Sequence, residues 1–391
     1  MTIAALMAAS CVYEFEPEGV VSQKRIVIEG DILIGGMTTI DVRSTMPVTY
    51  EEDFDMSSPI GKAWVEDSEG GLYEEKLAWD QHFEYHSSFT IDTREASPLL
   101  SYRLHFKDYM TGNHYVSRWQ QVVPAPAVTG MSFDYDLENV NIMMDLDGKD
   151  GRYFRWDYVE DWEYHAEYAP TYYFDLDANL PRYFDENSHM ADYSNYWCWG
   201  RAASKEFGLA STENQSRNVL ENMVILSEDR GSLRFQTYYR VDVTVRSLEK
   251  DAYDYLHNMK EISNLTGSLF SPSPDDMRGN IICLQDTTEF VIGYVSAVQI
   301  EKHRMYIRTG ENLFYKEPKP ATLFEPDFTN GFSSYLDYYK NGYRPVTDIF
   351  ITDPETNATH MAIGWGPSGC AWCQALGGSK KRPDDWPTAT R

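Results

Sequence analysis

Residues Thr237 to Ile307 read TYYRVDVTVRSLEKDAYDYLHNMKEISNLTGSLFSPSPDDMRGNIICLQDTTEFVIGYVSAVQIEKHRMYI, and the organisation of the chain is read outward from them. Tyr239, Val241, Val243 and Val245 alternate with Arg240, Asp242, Thr244 and Arg246, the period-2 pattern of a strand with one buried face. A helix follows near 248–262. Ser247 is placed to cap it, Glu249 and Asp251 sit where the helix dipole favours anions, and Ala252, Leu256, Met259 and Ile262 share one face. Ser271-Pro272-Ser273-Pro274-Asp275-Asp276 reads as a rigid loop, because proline lacks the N–H donor and restricts its predecessor. Asn280 to Leu284 and Phe290 to Gln299 then return as strands and Met305 to Ile307 ends the block, which predicts a helix lying across an antiparallel sheet.

A chain of 391 residues exceeds one usual domain, so two are expected. A hydrophobic share of 42% excludes a disordered chain, and an aromatic share of 14% favours β structure, where rings fit the pleated surface. The formal net charge of −27 repels phosphates and anionic lipid heads, so nucleic acid is not an expected partner.

From Lys24 to Val123 short apolar-alternating runs recur between turns such as Asp67-Ser68-Glu69-Gly70-Gly71, the spacing of an immunoglobulin- or transthyretin-like β-sandwich. Pro124-Ala125-Pro126 reads as a stiff linker. The expected organisation is a signal segment at 1–11, a sandwich at 12–124, a larger antiparallel β domain with one packed helix at 127–316, and an irregular tail at 317–391 packed on the second domain. The fold class is mainly β.

Met1 to Ser10 is an uncharged apolar run that ends in Ala8-Ala9-Ser10-Cys11, which resembles a bacterial lipobox, and Cys11 is the expected lipidation site. Cys198, Cys283, Cys370 and Cys373 remain, enough for two disulfides in an oxidising compartment. Cys370-Ala371-Trp372-Cys373 has no second CxxC and no flanking βαβ pattern, so a redox or zinc motif is disfavoured; a staple from the tail to the body, with Cys198 as partner, is expected.

Between Tyr153 and Trp199 rings interleave with carboxylates such as Asp157, Glu160, Asp161, Glu163 and Asp192. Strand alternation accounts for Trp156 and Tyr164 as core. Tyr172 and Tyr173, in a stretch punctuated by Pro and Asn, read as loop aromatics, and with Trp197 and Trp199 they are the candidate ligand-stacking platforms. No catalytic constellation emerges. The chain has no G-x-S-x-G elbow or phosphate-binding glycine loop; His82 and His86 have Phe83 where a metalloprotease needs glutamate; and Asp145 to Gly151 departs from a calcium loop at Lys149 and Trp156, so it reads as a tight hairpin turn. No cofactor and no metal site are expected.

KRIVIEGDI at 24–32, YVSRWQQVVPAP at 115–126, YFRWDY at 153–158, EKDAYDYLHNMKEISNLTGSLFSPSPDDMRGNI with VIGYVSA, and the ending CAWCQALGGSKKRPDDWP together resemble a family of bacterial outer-membrane lipoproteins classed as a domain of unknown function, often encoded beside TonB-dependent transporters of the starch-utilisation type. The resemblance implies lipid anchoring at the outer membrane, surface-exposed or periplasm-facing, and a TonB-dependent transporter as partner. It carries over no catalytic residues. The leading expectation is therefore a non-enzymatic accessory or binding protein of a nutrient-uptake system. The alternatives are a surface glycan- or peptide-hydrolase using carboxylates of the aromatic-acidic region, and an adhesive or structural surface lipoprotein.

Overall fold

The computed structural model describes residues 25–44, 61–75, 82–83, 86–264, 278–309, 315–316, 319–329 and 331–387. Cys11, with the rest of the signal segment, and the Ser271–Asp276 loop lie outside them. The described chain is mainly β, as its composition predicts. It forms two compact units: Met1–Val122 with Asp254–Val298, and Val123–Tyr253 with Gln299–Arg391.

The first unit holds one long sheet. Its hydrogen-bonded order is Ile281–Cys283, His114–Ser117, Ser101–Asp108, Gln120–Val123, Val295–Val298, Ile26–Leu33, Met37–Ser44, His86–Asp92 and His82–Phe83, with Gly61–Asp67 and Leu72–Glu74 joined beside Ser101–Asp108. Strict alternation in Gly61–Asp67 and His86–Asp92 turns Ala63, Val65, Phe89 and Ile91 into one core with Ile28, Ile40, Leu104 and Phe106. Phe89 and Phe106 meet there at 5.7 Å between ring centroids.

Two strands of the opening stretch go elsewhere than their sequence suggests. Val295–Val298 pairs in parallel with Ile26–Leu33, and Ile281–Cys283 pairs antiparallel with His114–Ser117. Both therefore complete the first unit's sheet rather than returning to the second. All four residues of Val295–Val298 are buried, the usual condition of a central strand with a parallel neighbour. The helix Lys250–Asn264 carries the chain over the division between the units. Ser247 does not cap it: the preceding strand runs on to Leu248 and buries Ser247 completely.

In the second unit a sheet of Trp197–Ala203, Tyr153–His165, Tyr238–Leu248 and Ile300–Arg308 faces a three-stranded sheet of Ala127–Tyr135, Asn139–Asp147 and Val219–Asp229. Val140, Ile142, Met144 and Leu146 pack on Phe154, Trp156, Tyr239, Val241, Val243 and Val245 between them. Asp147 and Gly151 do bound a tight turn, closed by Lys149 N–H to Asp147 Oδ1 at 2.9 Å, but it joins strands of different sheets and is not a hairpin. The 317–391 stretch is more regular than its Gly and Pro content suggests. It contains the helix Tyr335–Lys340 and the hairpin Tyr343–Thr352 with Thr359–Pro367, which accommodates Pro345 by a shift of register between Pro345 and Thr347.

The first unit depends on an unusually close backbone crossing. A Cβ built at Gly279 would lie 1.5 Å from Gly293 O, and one at Gly293, where φ is +120°, would lie 1.8 Å from Ile28 O. Gly293→Ala is expected to cost on the order of 3 kcal/mol, whereas Gly70→Ala, at positive φ with nothing within 4 Å, carries only the local strain of about 1 kcal/mol. Chemical denaturation of the two variants checks the difference.

Candidate functional site

The long strand Tyr153–His165 ends where Trp197–Ala203 begins, with Trp197 opposite His165 and Trp199 opposite Glu163. Alternation along Trp197–Ala203 sends Trp197 and Trp199 to one side and the fully buried Cys198 to the other, where it forms a disulfide with Cys373. The staple expected from the tail is therefore present, with Cys198 as its partner, while Cys370 is a buried free thiol whose pKa burial pushes up to about 12. Further bonds hold this backbone: Ala166 N–H to Tyr196 O at 2.8 Å, Cys373 N–H to Asn195 O at 3.1 Å, and a reciprocal pair between Trp199 and Ser379 at 2.8 Å.

On that fixed backbone sits a run of rings. His165 stacks on Tyr196 at 4.8 Å, Trp197 meets His165 at 5.1 Å and Tyr196 at 5.3 Å edge-on, and Tyr193, 62% exposed, meets Tyr196 edge-on at 5.3 Å. Such direct edge-to-face contacts leave no space for a cation between the rings, so they make a ledge rather than an aromatic cage. His165 Nδ1 lies 2.6 Å from Ala166 O, which can only accept; Nδ1 therefore carries a hydrogen and Nε2 is the ring nitrogen left for a ligand. Tyr193, Tyr196 and His165 went unread in the sequence, although Ser194-Asn195-Tyr196-Trp197-Cys198-Trp199 holds the signal: rings on both sides of a stapled cysteine.

Tyr172 and Tyr173 lie in a separate hairpin, Tyr172–Asp175 with Leu180–Tyr183, and not in a loop. Tyr172 is only 4% exposed, stacks on Tyr183 at 4.2 Å and donates its hydroxyl to Asp348 Oδ1 at 2.7 Å. Burial pushes its phenol pKa far up, and its ring is framework. Tyr173 is half-buried and packs near Phe184 at 5.3 Å.

Several carboxylates of the same stretch are committed to the scaffold. Asp161, 1% exposed, is held by Arg240 at 2.6 Å; Arg240 also reaches Asp385 at 2.7 Å, and Arg304 joins Asp385 at 2.6 Å and Asp242 through two bonds. Glu160 accepts from Tyr239 at 2.9 Å and pairs with Arg234 at 3.2 Å, while burial still raises its pKa. Asp175, Asp185 and Asp192 close their own turns by accepting from backbone N–H groups two residues on. Among the described residues no three His, Cys, Asp or Glu side chains converge as a metal-ligand set. Nor, among them, is any helix long and apolar enough to cross a membrane.

Replacing Arg240 by Met leaves Asp161 buried beside only the more distant Arg201, at 3.3 Å, and is expected to cost about 3 kcal/mol in denaturant melts. Hydrogen bonds from Arg240 and Arg304 pull the Asp385 carboxyl down to about 2. Its folded pKa thus lies below the unfolded value of about 3.9, so its contribution is full above pH 4 and disappears as pH falls toward 2. Asp385→Asn is expected to flatten that part of the stability profile, as measured by denaturation between pH 5 and 2.

None of the curated proteins compared with the chain matches it. A family model, described as Domain of unknown function (DUF4249), matches residues 12–304, which take in the strands of the first unit, the ledge and the opening stretch as far as Arg304, and the chain belongs to that family.

Proposed function

We propose that the protein is a non-catalytic, lipid-anchored binding protein of a bacterial outer membrane, which takes neutral glycan chains on its aromatic ledge and serves a TonB-dependent transporter. The observation that carries the binding role is the ledge of Tyr193, Tyr196, Trp197 and His165, fixed by strand pairing and by the adjacent Cys198–Cys373 disulfide. A pyranose ring has a face of C–H groups that stacks on an indole or phenol ring. Its hydroxyls need acceptors and donors at the rim, here the His165 Nε2 and the Tyr193 hydroxyl. Prepositioned rings bind without first losing side-chain freedom. The net charge of −27 works against uronic or sulfated chains and leaves neutral ones unhindered.

The anchoring part of the reading rests on Ala8-Ala9-Ser10-Cys11, and the transporter on the family resemblance. A hydrolase needs a carboxyl pair free to meet substrate, and Glu160, Asp161, Asp175 and Asp192 are occupied in ion pairs and turns. The binding role is favoured on that ground.

Calorimetry with maltoheptaose, cellohexaose and xylohexaose, against polygalacturonate, tests the ligand class. Binding of at least one neutral chain is expected, weakened roughly tenfold or more in Trp197→Ala, about 1.4 kcal/mol or more. No binding of any neutral chain removes the glycan claim. For the anchor, Cys11→Ala is expected to leave the outer-membrane fraction, and a variant that still fractionates with it removes that claim. Co-purification of a transporter from native membranes tests the partnership.

A further inference from the structure

The first unit carries a chain of titratable side chains on the solvent side of its sheet, with no part in the ledge. Glu66, His105 and His114 come from three neighbouring strands: Gly61–Asp67, Ser101–Asp108 and His114–Ser117. His105, 6% exposed, places Nε2 at 2.7 Å from Glu66 Oε2 and Nδ1 at 3.0 Å from His114 Nε2. Trp64 stacks on His105 at 4.9 Å and lies 5.2 Å from His114. Glu66 is ionised: burial alone would raise its pKa, but hydrogen bonds from Arg103 and His105 outweigh that and bring it down.

These contacts assign the protons. The Glu66 carboxylate accepts from His105 Nε2–H, so Nδ1 of the neutral ring is bare and accepts from His114 Nε2–H. The imidazole centroids lie 5.2 Å apart while the facing nitrogens are 3.0 Å apart, so the two rings point nearly end to end. End-to-end rings aim both lone pairs along one line, on which a metal needs about 2 Å to each nitrogen, about 4 Å in all, and at 3.0 Å it does not fit. A proton does.

One added proton leaves the chain intact: taken up at the bare His114 Nδ1, it leaves His114 Nε2–H still donating to the bare His105 Nδ1. A second proton sets two N–H groups of two cations against each other, and the rings must part. His114, the more exposed ring, is the one free to leave. Its backbone holds the neighbouring edge: His114 O accepts from Leu284 N–H at 2.8 Å, and His114 N–H donates to Gln285 Oε1 at 2.7 Å. Among the described residues Ile281–Cys283 is the terminal strand of the sheet, paired on one side only. We infer that the His105–His114 pair is an acid-operated latch, which holds the Ile281–Cys283 edge strand at neutral pH and releases it when both rings are charged.

The surrounding charges favour release over tolerance of the second proton. From Gly61–Asp67 come Glu66 and Lys62, the latter tied to Glu74 of Leu72–Glu74 at 2.8 Å; from Ser101–Asp108 come Arg103 and Lys107; the 281–285 stretch contributes uncharged Gln285. Burial lowers the pKa of both histidines, and Arg103 acts in the same direction on each. With folded values below the unfolded 6.5, the folded unit binds fewer protons than the unfolded chain. It therefore loses stability as pH falls below about 6.5.

Cys283 reports on the latch, because it is fully buried in the released strand, and the buried Cys370 of the second unit serves as internal reference. The full chain is labelled with 4,4′-dithiodipyridine, which reacts at acid pH, and the cysteine peptides are separated by mass spectrometry. Between pH 7 and 5 the Cys283 rate relative to Cys370 is expected to rise at least tenfold, with a matching loss of amide protection at 281–285. His114→Gln, which can still donate to His105 Nδ1 but cannot charge, is expected to abolish the rise. Glu66→Gln, which removes the anion that steadies a charged His105, should shift it to lower pH. His86→Gln, at a half-buried histidine of the same unit that faces Asp41, should leave it unchanged. No rise in the wild-type protein, or the same rise in His114→Gln, overturns the latch. Glycan binding at the ledge is measured separately, so neither result stands in for the other.

Discussion

Backbone pairing between Tyr153–His165 and Tyr238–Leu248 fixes the position of nearly every charged and aromatic group that matters in the second unit. Because side chains alternate along a strand, one register sets both faces at once. On one face it lays Phe154, Trp156, Val241, Val243 and Val245 into the core. On the other it puts Asp161 directly across from Arg240, so a buried charge meets its partner without a long side chain having to search for it. A slip of one residue would expose the first set and strand the second. The same strand delivers His165 to the ledge at its far end.

The C-terminal segment then closes over this arrangement with two unlike fastenings. The Cys198–Cys373 disulfide acts beside the ledge, and Asp385 bridges Arg240 and Arg304 further along, with Trp386, 4% exposed, lying 5.3 Å beneath the Arg240 guanidinium. One fastening depends on redox conditions and the other on acidity. The tail stays in place across a wider range of conditions than either would allow alone.

How much of this could be read in the chain depends on how local the signal was. The strand at Tyr238–Leu248 was legible because its alternation is strict, and Cys198 was legible as partner to the CxxC because few cysteines remain to choose from. Val295–Val298 was legible as a strand, within Phe290 to Gln299, but its place in the sheet was not. Its residues are buried on both faces, so no alternation marks an orientation, and its parallel partner lies some 265 residues earlier. Tyr172 reads as a loop residue in the sequence because Pro and Asn surround it, but Asn179 turns the chain and Pro181 sits within a short hairpin whose inner face is pinned by Asp348. The Glu66–His105–His114 chain was invisible for another reason: its members sit on three strands, and only pairing brings them together.

The first unit's division into two chain segments has a consequence for the order of events in folding. Val295–Val298 lies between Ile26–Leu33 and Gln120–Val123, in the middle of that sheet. A chain growing from its N-terminus therefore cannot close the first core until residue 298 has emerged, after the whole of Val123–Tyr253. Until then Ile28, Ile32 and Phe106 lack a central neighbour, and two unpaired strand edges face outward. The part made first is the part finished late, and a nascent chain of this architecture is open to aggregation, and to whatever guards against it, for longer than its length alone would require.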